Sequence, residues 1–192
     1  MERSDYLVLV NKDNKIPDNW EEKVKLIELK NVFNRTIKVE EETLEKYNEL
    51  RDNLLKEWID IELDSAYRSL EKQQDLREDM EEEYWIEYAE KYAALPGYSE
   101  HHTWLALDIC IKKDEKIIHE NHEMIVECEI FEKIHEKLAD YWFILRYLEG
   151  KEKITGYEYE PWHIRYIWDV DVAREIMENW LTLEEYLDNT KK

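Results

Sequence analysis

The sequence predicts an α+β fold in a single domain, with helices packed against a mostly antiparallel sheet. In residues 39–59, apolar side chains recur at steps of three and four, which is typical of an amphipathic helix. Residues 61–65 alternate apolar and polar side chains as a half-buried strand does, and residues 105–111 form an apolar run suited to a central strand. A chain of 192 residues fits one domain with its own core. The apolar positions of the helical segment are Leu44, Tyr47, Leu50, Leu54 and Trp58.

The other elements follow from the same two periodicities and from the turn residues between them. Ser69 suits a helix N-cap, and the segment after it predicts one helix that runs to about residue 93. Residues 112–126 are polar and predict no definite element. The predicted domain covers residues 1–192, with its motifs in residues 5–168 and a helical tail at residues 170–189. The further predicted strands are 6–10, 24–29, 143–147, 157–159 and 162–167, and a further helix is predicted at 129–141.

The chain is strongly acidic, with 48 Asp and Glu against 27 Lys and Arg and a formal net charge of -21. Recognition of phosphate depends on Lys and Arg, so this balance argues against nucleic acid as a partner. The acidic residues are spread along helical stretches, which favours a solvated surface over an acidic site.

The two cysteines, Cys110 and Cys128, are too few for a disulfide framework. Free thiols are the expected state, and a disulfide is the alternative. The N-terminus shows no basic region followed by an apolar core, and no segment is long and apolar enough to span a bilayer. The sequence as it stands therefore predicts a cytoplasmic protein, or one of the cell envelope if an export segment has been removed.

Three residues, His101, Asp108 and His163, form a candidate metal site. Zinc accepts imidazole nitrogen and carboxylate oxygen, and a hydrolytic zinc site uses three protein ligands and leaves a fourth position for water. Asp108 lies seven positions after His101, an odd offset that points the two side chains to opposite faces of an unbroken strand. A shared ion therefore requires a bend or bulge between them.

The candidate ligands belong to three motifs that occur in order along the chain. Ser99, His101 and Asp108 define one of them, and the stretch Glu-Pro-Trp-His at residues 160–163 defines another. The third is Ser-Ala-Tyr-Arg-Ser at residues 65–69, and further blocks lie at 5–12, 143–147 and 153–157. Together they resemble the zinc D,D-carboxypeptidases of the VanY kind and their VanX and VanXY dipeptidase relatives. The resemblance covers nearly the whole chain.

This resemblance implies a zinc (Zn2+) cofactor on His101, Asp108 and His163, and it implies that Glu160 is the catalytic base. A carboxylate three residues before a ligand also suits the chemistry, because peptide hydrolysis needs a group that takes a proton from water and passes it to the leaving amine. For each histidine the alternative is an ordinary hydrogen-bonded side chain. That alternative is preferred for four histidines outside the motif positions, namely His102, His119, His122 and His135.

Arg68 is the candidate for substrate binding and transition-state stabilisation, as the resemblance also implies. A guanidinium can hold a terminal carboxylate in two places or steady a developing oxyanion. Its alternative is a structural ion pair with a nearby acid. Gln73 and Ser99 are candidates for hydrogen bonds to substrate, with a helix surface and a loop cap as their respective alternatives.

The function implied is that of a zinc metallocarboxypeptidase that removes the terminal D-alanine from peptidoglycan stem peptides or their precursors. Within the same class, the alternatives are a D-Ala-D-Ala dipeptidase and an L,D-carboxypeptidase. In another class, the alternative is a catalytically impaired zinc domain that binds wall peptides. The sequence leaves oligomeric state and preferred peptide length open.

The sequence departs from the family pattern where large residues replace glycine, at Trp104, Trp142 and Trp168, and also at Ala66. Replacing the smallest residue by the largest is not expected three times in a packed core. One hypothesis is that a UGA codon read as glycine in the organism has been translated as tryptophan. The competing hypothesis is that the tryptophans are genuine and that they narrow or inactivate the cleft.

Overall fold

The computed structural model describes residues 1–191 and has the predicted α+β fold. Within those residues the chain forms seven strands and eight α-helices, joined by short 3-10 turns. The strands are β1 (Leu26–Lys30), β2 (Thr36–Glu40), β3 (Asp60–Ser65), β4 (Ala106–Lys113), β5 (Lys116–Ile118), β6 (Phe143–Tyr147) and β7 (Glu160–Tyr166). The helices are α1 (Glu41–Lys56), α2 (Leu70–Glu83), α3 (Ile86–Tyr92), α4 (Asn121–Val126), α5 (Cys128–Leu138), α6 (Glu152–Thr155), α7 (Val170–Glu178) and α8 (Leu183–Thr190).

The main sheet has the strand order β3-β4-β7-β6, and each neighbouring pair is antiparallel, as predicted. The short strand β5 pairs with the far end of β4, while β1 and β2 form a separate hairpin. Every residue of β6 and β7 is buried, including Glu160, His163 and Arg165. The main sheet is therefore enclosed by the helices and by the β1–β2 hairpin.

Helix α1 packs on β3 through its apolar stripe, and α5 packs on β6 and β7. The last two helices, α7 and α8, form a smaller apolar cluster with Ile144 of β6 and Ile167. Both helices begin with a side-chain cap: Asp169 accepts backbone hydrogen bonds at α7, and Thr182 forms a capping box with Glu185 at α8. These caps explain why the predicted helical tail divides into two pieces.

Two predicted strands are wrong. Residues 6–10 begin inside a 3-10 turn, Arg3–Leu7, because the Asp5 carboxylate accepts the Glu2 backbone N–H and closes the turn. The carbonyls of Tyr6 and Val8 then accept the buried guanidinium of Arg165 at 2.9 Å, so this segment does not need a strand partner. Residues 157–159 form an irregular segment before β7.

The helix predicted from Ser69 to about residue 93 is two helices, with a break at Tyr84 and Trp85. The last turn of α2 contains glutamates and no basic residue, which is unfavourable next to the partial negative charge at a helix C-terminus. The polar segment 112–126 forms the β4–β5 hairpin turn, β5 and α4.

Both cysteines are free, as expected, with Cys110 buried and Cys128 exposed. Among the described residues, no helix is both long enough and apolar enough to cross a bilayer.

Candidate active site

The three candidate ligands come from two neighbouring strands and the turn before one of them. Ser99 starts a 3-10 turn, Glu100–Thr103, and its hydroxyl accepts the backbone N–H of His101. The turn ends at Trp104, whose φ of 70° reverses the chain direction before β4 begins. Asp108 on β4 and His163 on β7 are direct cross-strand partners. The chain therefore bends between His101 and Asp108, as a shared ion requires.

One donor atom from each of His101, Asp108 and His163 lies within 4.8 Å of the other two. Oδ2 of Asp108 is 3.1 Å from Nε2 of His101, and its Oδ1 is 3.0 Å from Nδ1 of His163. The two imidazole rings meet edge to face with centroids 5.0 Å apart. Two imidazole nitrogens and one carboxylate oxygen at these separations match the donor set that zinc accepts.

The two histidines turn different ring nitrogens towards this centre. Nδ1 of His101 lies 2.6 Å from the carbonyl oxygen of Ala66, which leaves Nε2 to face Asp108. In His163 the orientation is opposite: Nδ1 faces Asp108, and Nε2 lies 3.5 Å from Oε2 of Glu100. A carbonyl or carboxylate behind the ring is the usual device that fixes the tautomer of a ligating histidine.

Glu100 is held in place by two buried arginines. Its Oε1 accepts hydrogen bonds from Arg146 and Arg165, each at 2.7 Å, and all three side chains are fully buried. Arg146 also makes a two-pronged ion pair with Glu184 of α8, at 2.7 and 2.9 Å. A charged network therefore runs from the C-terminal helix to the back of the His163 ring.

Electrostatics within the site lower the pKa of Asp108 and raise the pKa values of His163 and Glu160. Burial opposes ionisation of Asp108, but His101 and His163 outweigh it and lower the Asp108 pKa. Burial also opposes charge on His163, yet hydrogen bonds to Asp108 and Glu100 raise its pKa to about 9. Burial of Glu160, whose Oε2 is 3.8 Å from Nδ1 of His163, raises its pKa to about 8. Glu160 thus has the properties of a group that exchanges protons near neutral pH.

Arg68 lies on the other side of Asp108, with one guanidinium nitrogen 3.6 Å from Oδ2. Its other terminal nitrogen donates to the side-chain oxygen of Gln73 at 2.9 Å. The amide nitrogen of Gln73 donates in turn to the carbonyl of Ala94, and Gln73 is completely buried. Gln73 is therefore buried below the cleft lining, where its side chain links Arg68 to the backbone at Ala94.

A cleft of about 540 Å³ opens onto these groups, lined by Arg68, His101, Asp108, Glu160 and His163. Ser99 also lines the cleft, and its hydroxyl caps the 3-10 turn. The four remaining histidines lie outside the candidate ligand set. His102 accepts from Gly97 and contacts the carbonyl of Arg68, and His135 contacts the carbonyl of Pro161.

Four residues with a place in this site escaped sequence reasoning. Glu100, Arg146 and Arg165 form the buried network, and Tyr157 lines the cleft with a buried hydroxyl that has no hydrogen-bond partner among the described residues. The available signal was an arginine inside each of two predicted strands, at 143–147 and 162–167, since a buried arginine requires an acidic partner.

Comparison with known proteins identifies the family. Residues 36–169 match the VanY family of D-alanyl-D-alanine carboxypeptidases. The chain belongs to this VanY family. Among curated relatives, the putative carboxypeptidase YodJ of Bacillus subtilis is 33% identical over 190 residues, which cover 97% of this chain and 68% of that protein. The bifunctional D-Ala-D-Ala dipeptidase and carboxypeptidase VanXYC of Enterococcus gallinarum is 38% identical over 131 residues, covering 67% of each chain.

Solved structures share the VanY-family fold over nearly the whole length of the chain. VanYB in complex with D-alanine-D-alanine has a TM-score of 0.82 and 31% identity, covering 97% of this chain and 99% of that one. A zinc complex of a VanY D,D-pentapeptidase variant has a TM-score of 0.81 and 30% identity, covering 95% and 99%. The LD-carboxypeptidase LdcB has a TM-score of 0.81 and 32% identity, covering 97% and 87%.

Proposed function

We propose that this chain is a zinc metallocarboxypeptidase that removes the terminal D-alanine from peptidoglycan stem peptides or their precursors. The observation that carries the proposal is the convergence of His101, Asp108 and His163, with donor atoms within 4.8 Å, beside Glu160 and Arg68 in one cleft. Membership of the VanY family and similarity to the zinc and D-alanine-D-alanine complexes support both the metal and the substrate class.

His101, Asp108 and His163 would hold the metal through Nε2, a carboxylate oxygen and Nδ1 respectively. The ring of His101 is already oriented by the backbone carbonyl of Ala66, and the ring of His163 by the carboxylate of Glu100. When bound, zinc supplies Lewis-acid polarisation of the scissile carbonyl and lowers the pKa of the attacking water.

Glu160 is the proposed general base and acid. Its carboxylate takes a proton from the attacking water and then gives a proton to the amine nitrogen of the departing D-alanine. A raised pKa suits this double task, because a group with a pKa near the working pH both accepts and releases a proton readily.

Arg68 is proposed to bind the free carboxylate of the substrate or the oxygen that gains negative charge in the transition state. Its guanidinium is anchored by Gln73 on one side and lies near Asp108 on the other, so its fork is held in one orientation. A fixed fork loses little entropy when it binds a carboxylate. Removal of a C-terminal residue, rather than cleavage within a chain, follows from this recognition of a terminal carboxylate.

The chemistry of the ligand set does not distinguish D,D from L,D cleavage, and the similar structures include enzymes of both kinds. The D,D assignment rests on the family description and on the D-alanine-D-alanine complex. The test is product analysis of the zinc-loaded protein with D-Ala-D-Ala, a tetrapeptide and a pentapeptide stem. Release of D-alanine from the pentapeptide supports the proposal, whereas exclusive cleavage of the dipeptide or of the tetrapeptide would assign one of the alternative specificities.

The variant that tests Glu160 as the general base is Glu160→Ala. Glu158→Ala is its control, because the Glu158 carboxylate pairs with Lys91 at the surface. We expect Glu160→Ala to lower kcat by about 10²- to 10⁴-fold, which is the usual contribution of a general base. Bound zinc, measured by elemental analysis, should stay stoichiometric. A fully active Glu160→Ala enzyme would show that the base is misassigned.

A further inference from the structure

Five of the eight tryptophans have a left-handed backbone, which tryptophan rarely adopts. Their φ values lie between 52° and 70°, at Trp58, Trp104, Trp142, Trp168 and Trp180. All other described residues with positive φ are Gly, Asn or Asp, the types that tolerate this conformation. For a bulky side chain the left-handed region is energetically unfavourable, because Cβ lies too close to the following carbonyl oxygen. Tryptophan is therefore found at five positions whose backbone conformation is typical of glycine.

Trp58 occupies the position where a helix ends with glycine. After the last residues of α1, the N–H of Trp58 donates to the carbonyl of Leu55 at 3.1 Å, and the N–H of Ile59 donates to Leu54 at 3.0 Å. These two bonds, around one left-handed residue, define the Schellman motif, in which the left-handed residue is usually glycine. The indole of Trp58 is 96% exposed, so packing does not explain its presence there.

Trp180 repeats the same motif at the end of α7. Its N–H donates to the carbonyl of Met177 at 3.3 Å, and the N–H of Leu181 donates to Ile176 at 2.9 Å. The backbone hydrogen bonds and the position after the helix correspond one to one with those at Trp58. Two independent helix ends therefore present tryptophan at the left-handed glycine position.

Trp104 and Trp142 each end a 3-10 turn in the left-handed region. Gly156 does the same at the end of α6, with φ of 80° and its N–H bonded to the carbonyl of Glu152. At Gly156 the chain therefore has glycine in the left-handed position that ends a helical turn. Trp168 completes the set between β7 and the capping residue Asp169 of α7.

The composition fits the same explanation. The chain contains 3 glycines and 8 tryptophans, whereas glycine is ordinarily about 7% of a protein. The other three tryptophans, Trp20, Trp85 and Trp162, have no left-handed backbone, and two of them have clear packing roles. Trp20 is buried and its indole donates to the carbonyl of Thr103 at 3.0 Å, and Trp162 is buried within β7. Excess tryptophan and missing glycine therefore coincide at the same five positions.

We propose that residues 58, 104, 142, 168 and 180 are glycine in the protein made by its own organism, because the gene has at these positions a UGA codon that is read there as glycine. The inference is independent of the proposed function, and it extends the hypothesis for three motif positions to two helix ends outside the motifs. Ala66, which also differs from the family pattern, has no positive φ and does not belong to the set.

Glycine at position 104 changes the cleft beside Tyr67. The Trp104 indole stacks on Tyr67, with centroids 3.3 Å apart and planes 2° apart, and Tyr67 lines the cleft. Glycine at 104 removes that indole and leaves the bend between His101 and β4 to the residue type that forms it most easily. A narrowed or inactivated cleft is then not required to explain the sequence.

The decisive test is the nucleotide sequence of the gene together with the intact mass of the protein from its own organism. We expect UGA at the five positions, UGG at 20, 85 and 162, and a mass lower by five tryptophan-to-glycine differences. UGG at the five positions, or a mass that corresponds to the printed sequence, would overturn the proposal.

A second test examines the backbone in the recombinant protein of the printed sequence. Trp58→Gly should raise the Tm by roughly 2–6 °C, because it relieves the left-handed cost without removing a buried side chain. Trp58→Ala is the matched control, since it also removes the indole but keeps a Cβ; it should change the Tm much less. Trp20→Gly should lower the Tm. Equal effects of glycine and alanine at position 58 would contradict the glycine-type backbone on which the inference rests.

Discussion

At the scale of single residues, the candidate metal centre depends on which nitrogen each histidine presents. His101 has a backbone carbonyl behind Nδ1, and His163 has a buried carboxylate behind Nε2. We expect the zinc-loaded protein to keep the N–H of His101 on Nδ1 and that of His163 on Nε2. Two-dimensional NMR of the imidazole nitrogens checks this assignment. If both rings had the same tautomer, the proposed ligation geometry would be wrong.

Gln73 provides a second residue-scale prediction, because its amide joins Arg68 to the carbonyl of Ala94. Gln73→Leu keeps the volume but leaves both partners without their hydrogen bond, which costs about 1–3 kcal/mol for buried groups. We expect kcat/KM to fall about 10- to 100-fold with zinc content unchanged, since the affected group is the guanidinium proposed to bind substrate. Gln74→Leu is the control, because Gln74 is the exposed neighbour on the same helix. A similar loss in both variants would argue against a specific role for Gln73.

At the scale of elements, α5 is tied to the β7 motif by one hydrogen bond. Nε2 of His135 lies 2.9 Å from the carbonyl oxygen of Pro161, next to Glu160. Burial of His135 lowers its pKa to about 4, below the value of about 6.5 in an unfolded chain. The folded state therefore binds fewer protons than the unfolded state between these values, and stability is lost as the pH falls from 6.5 towards 4.

We expect the titration of His135 to lower the free energy of unfolding by about 2 kcal/mol when the pH falls from 7 to 5. His135→Gln should remove that part of the acid sensitivity while keeping a donor to Pro161. Denaturant unfolding of the zinc-free wild type and variant at both pH values measures the difference, and the zinc-free state avoids a contribution from metal release. Identical pH slopes would show that His135 does not titrate as described.

The elements that sequence reasoning located best were those with a strong period and a clear boundary residue, such as α1 and the strand ending in Ser65. The prediction of a strand at 6–10 was wrong, because its β-rich composition was outweighed by Asp5 closing a turn and by Arg165 satisfying two carbonyls from far along the chain. A contact between residues 159 positions apart leaves no local pattern in the sequence. Long-range tertiary contacts therefore limit how well strands and helices can be predicted from the sequence.

For the site, the motifs brought together the ligand set, Glu160 and Arg68, and the odd spacing from His101 to Asp108 correctly required a bend. The group behind His163 could not be foreseen, since Glu100 next to a histidine reads as an ordinary surface acid. Its role depends on Arg146 and Arg165, which approach it from two different strands. The roles assigned to the site residues stay predictions until the variants are measured.

At the scale of the whole molecule, the net charge of -21 is spread over the surface while the interior charges are paired. Like charges repel in the compact state, and salt screens that repulsion, with a Debye length that falls from about 30 Å at 0.01 M to about 3 Å at 1 M. We expect the Tm of the zinc-loaded protein to rise by a few degrees between 10 mM and 500 mM sodium chloride. Choline chloride should give the same rise, because screening depends on ionic strength. A fall in Tm would mean that surface ion pairs outweigh the net repulsion.

The pairing of Asp108 with His163 across β4 and β7 has a consequence for how this enzyme can diversify. The spacing of the two donors depends on the sheet ladder and not on the length of chain that connects them. Insertions in the excursion at 112–126, or in the connection at 148–159, can therefore reshape peptide preference without displacing the metal. A deletion of a single residue beside either donor has the opposite outcome, because a shift of one position turns the side chain to the other face of the sheet.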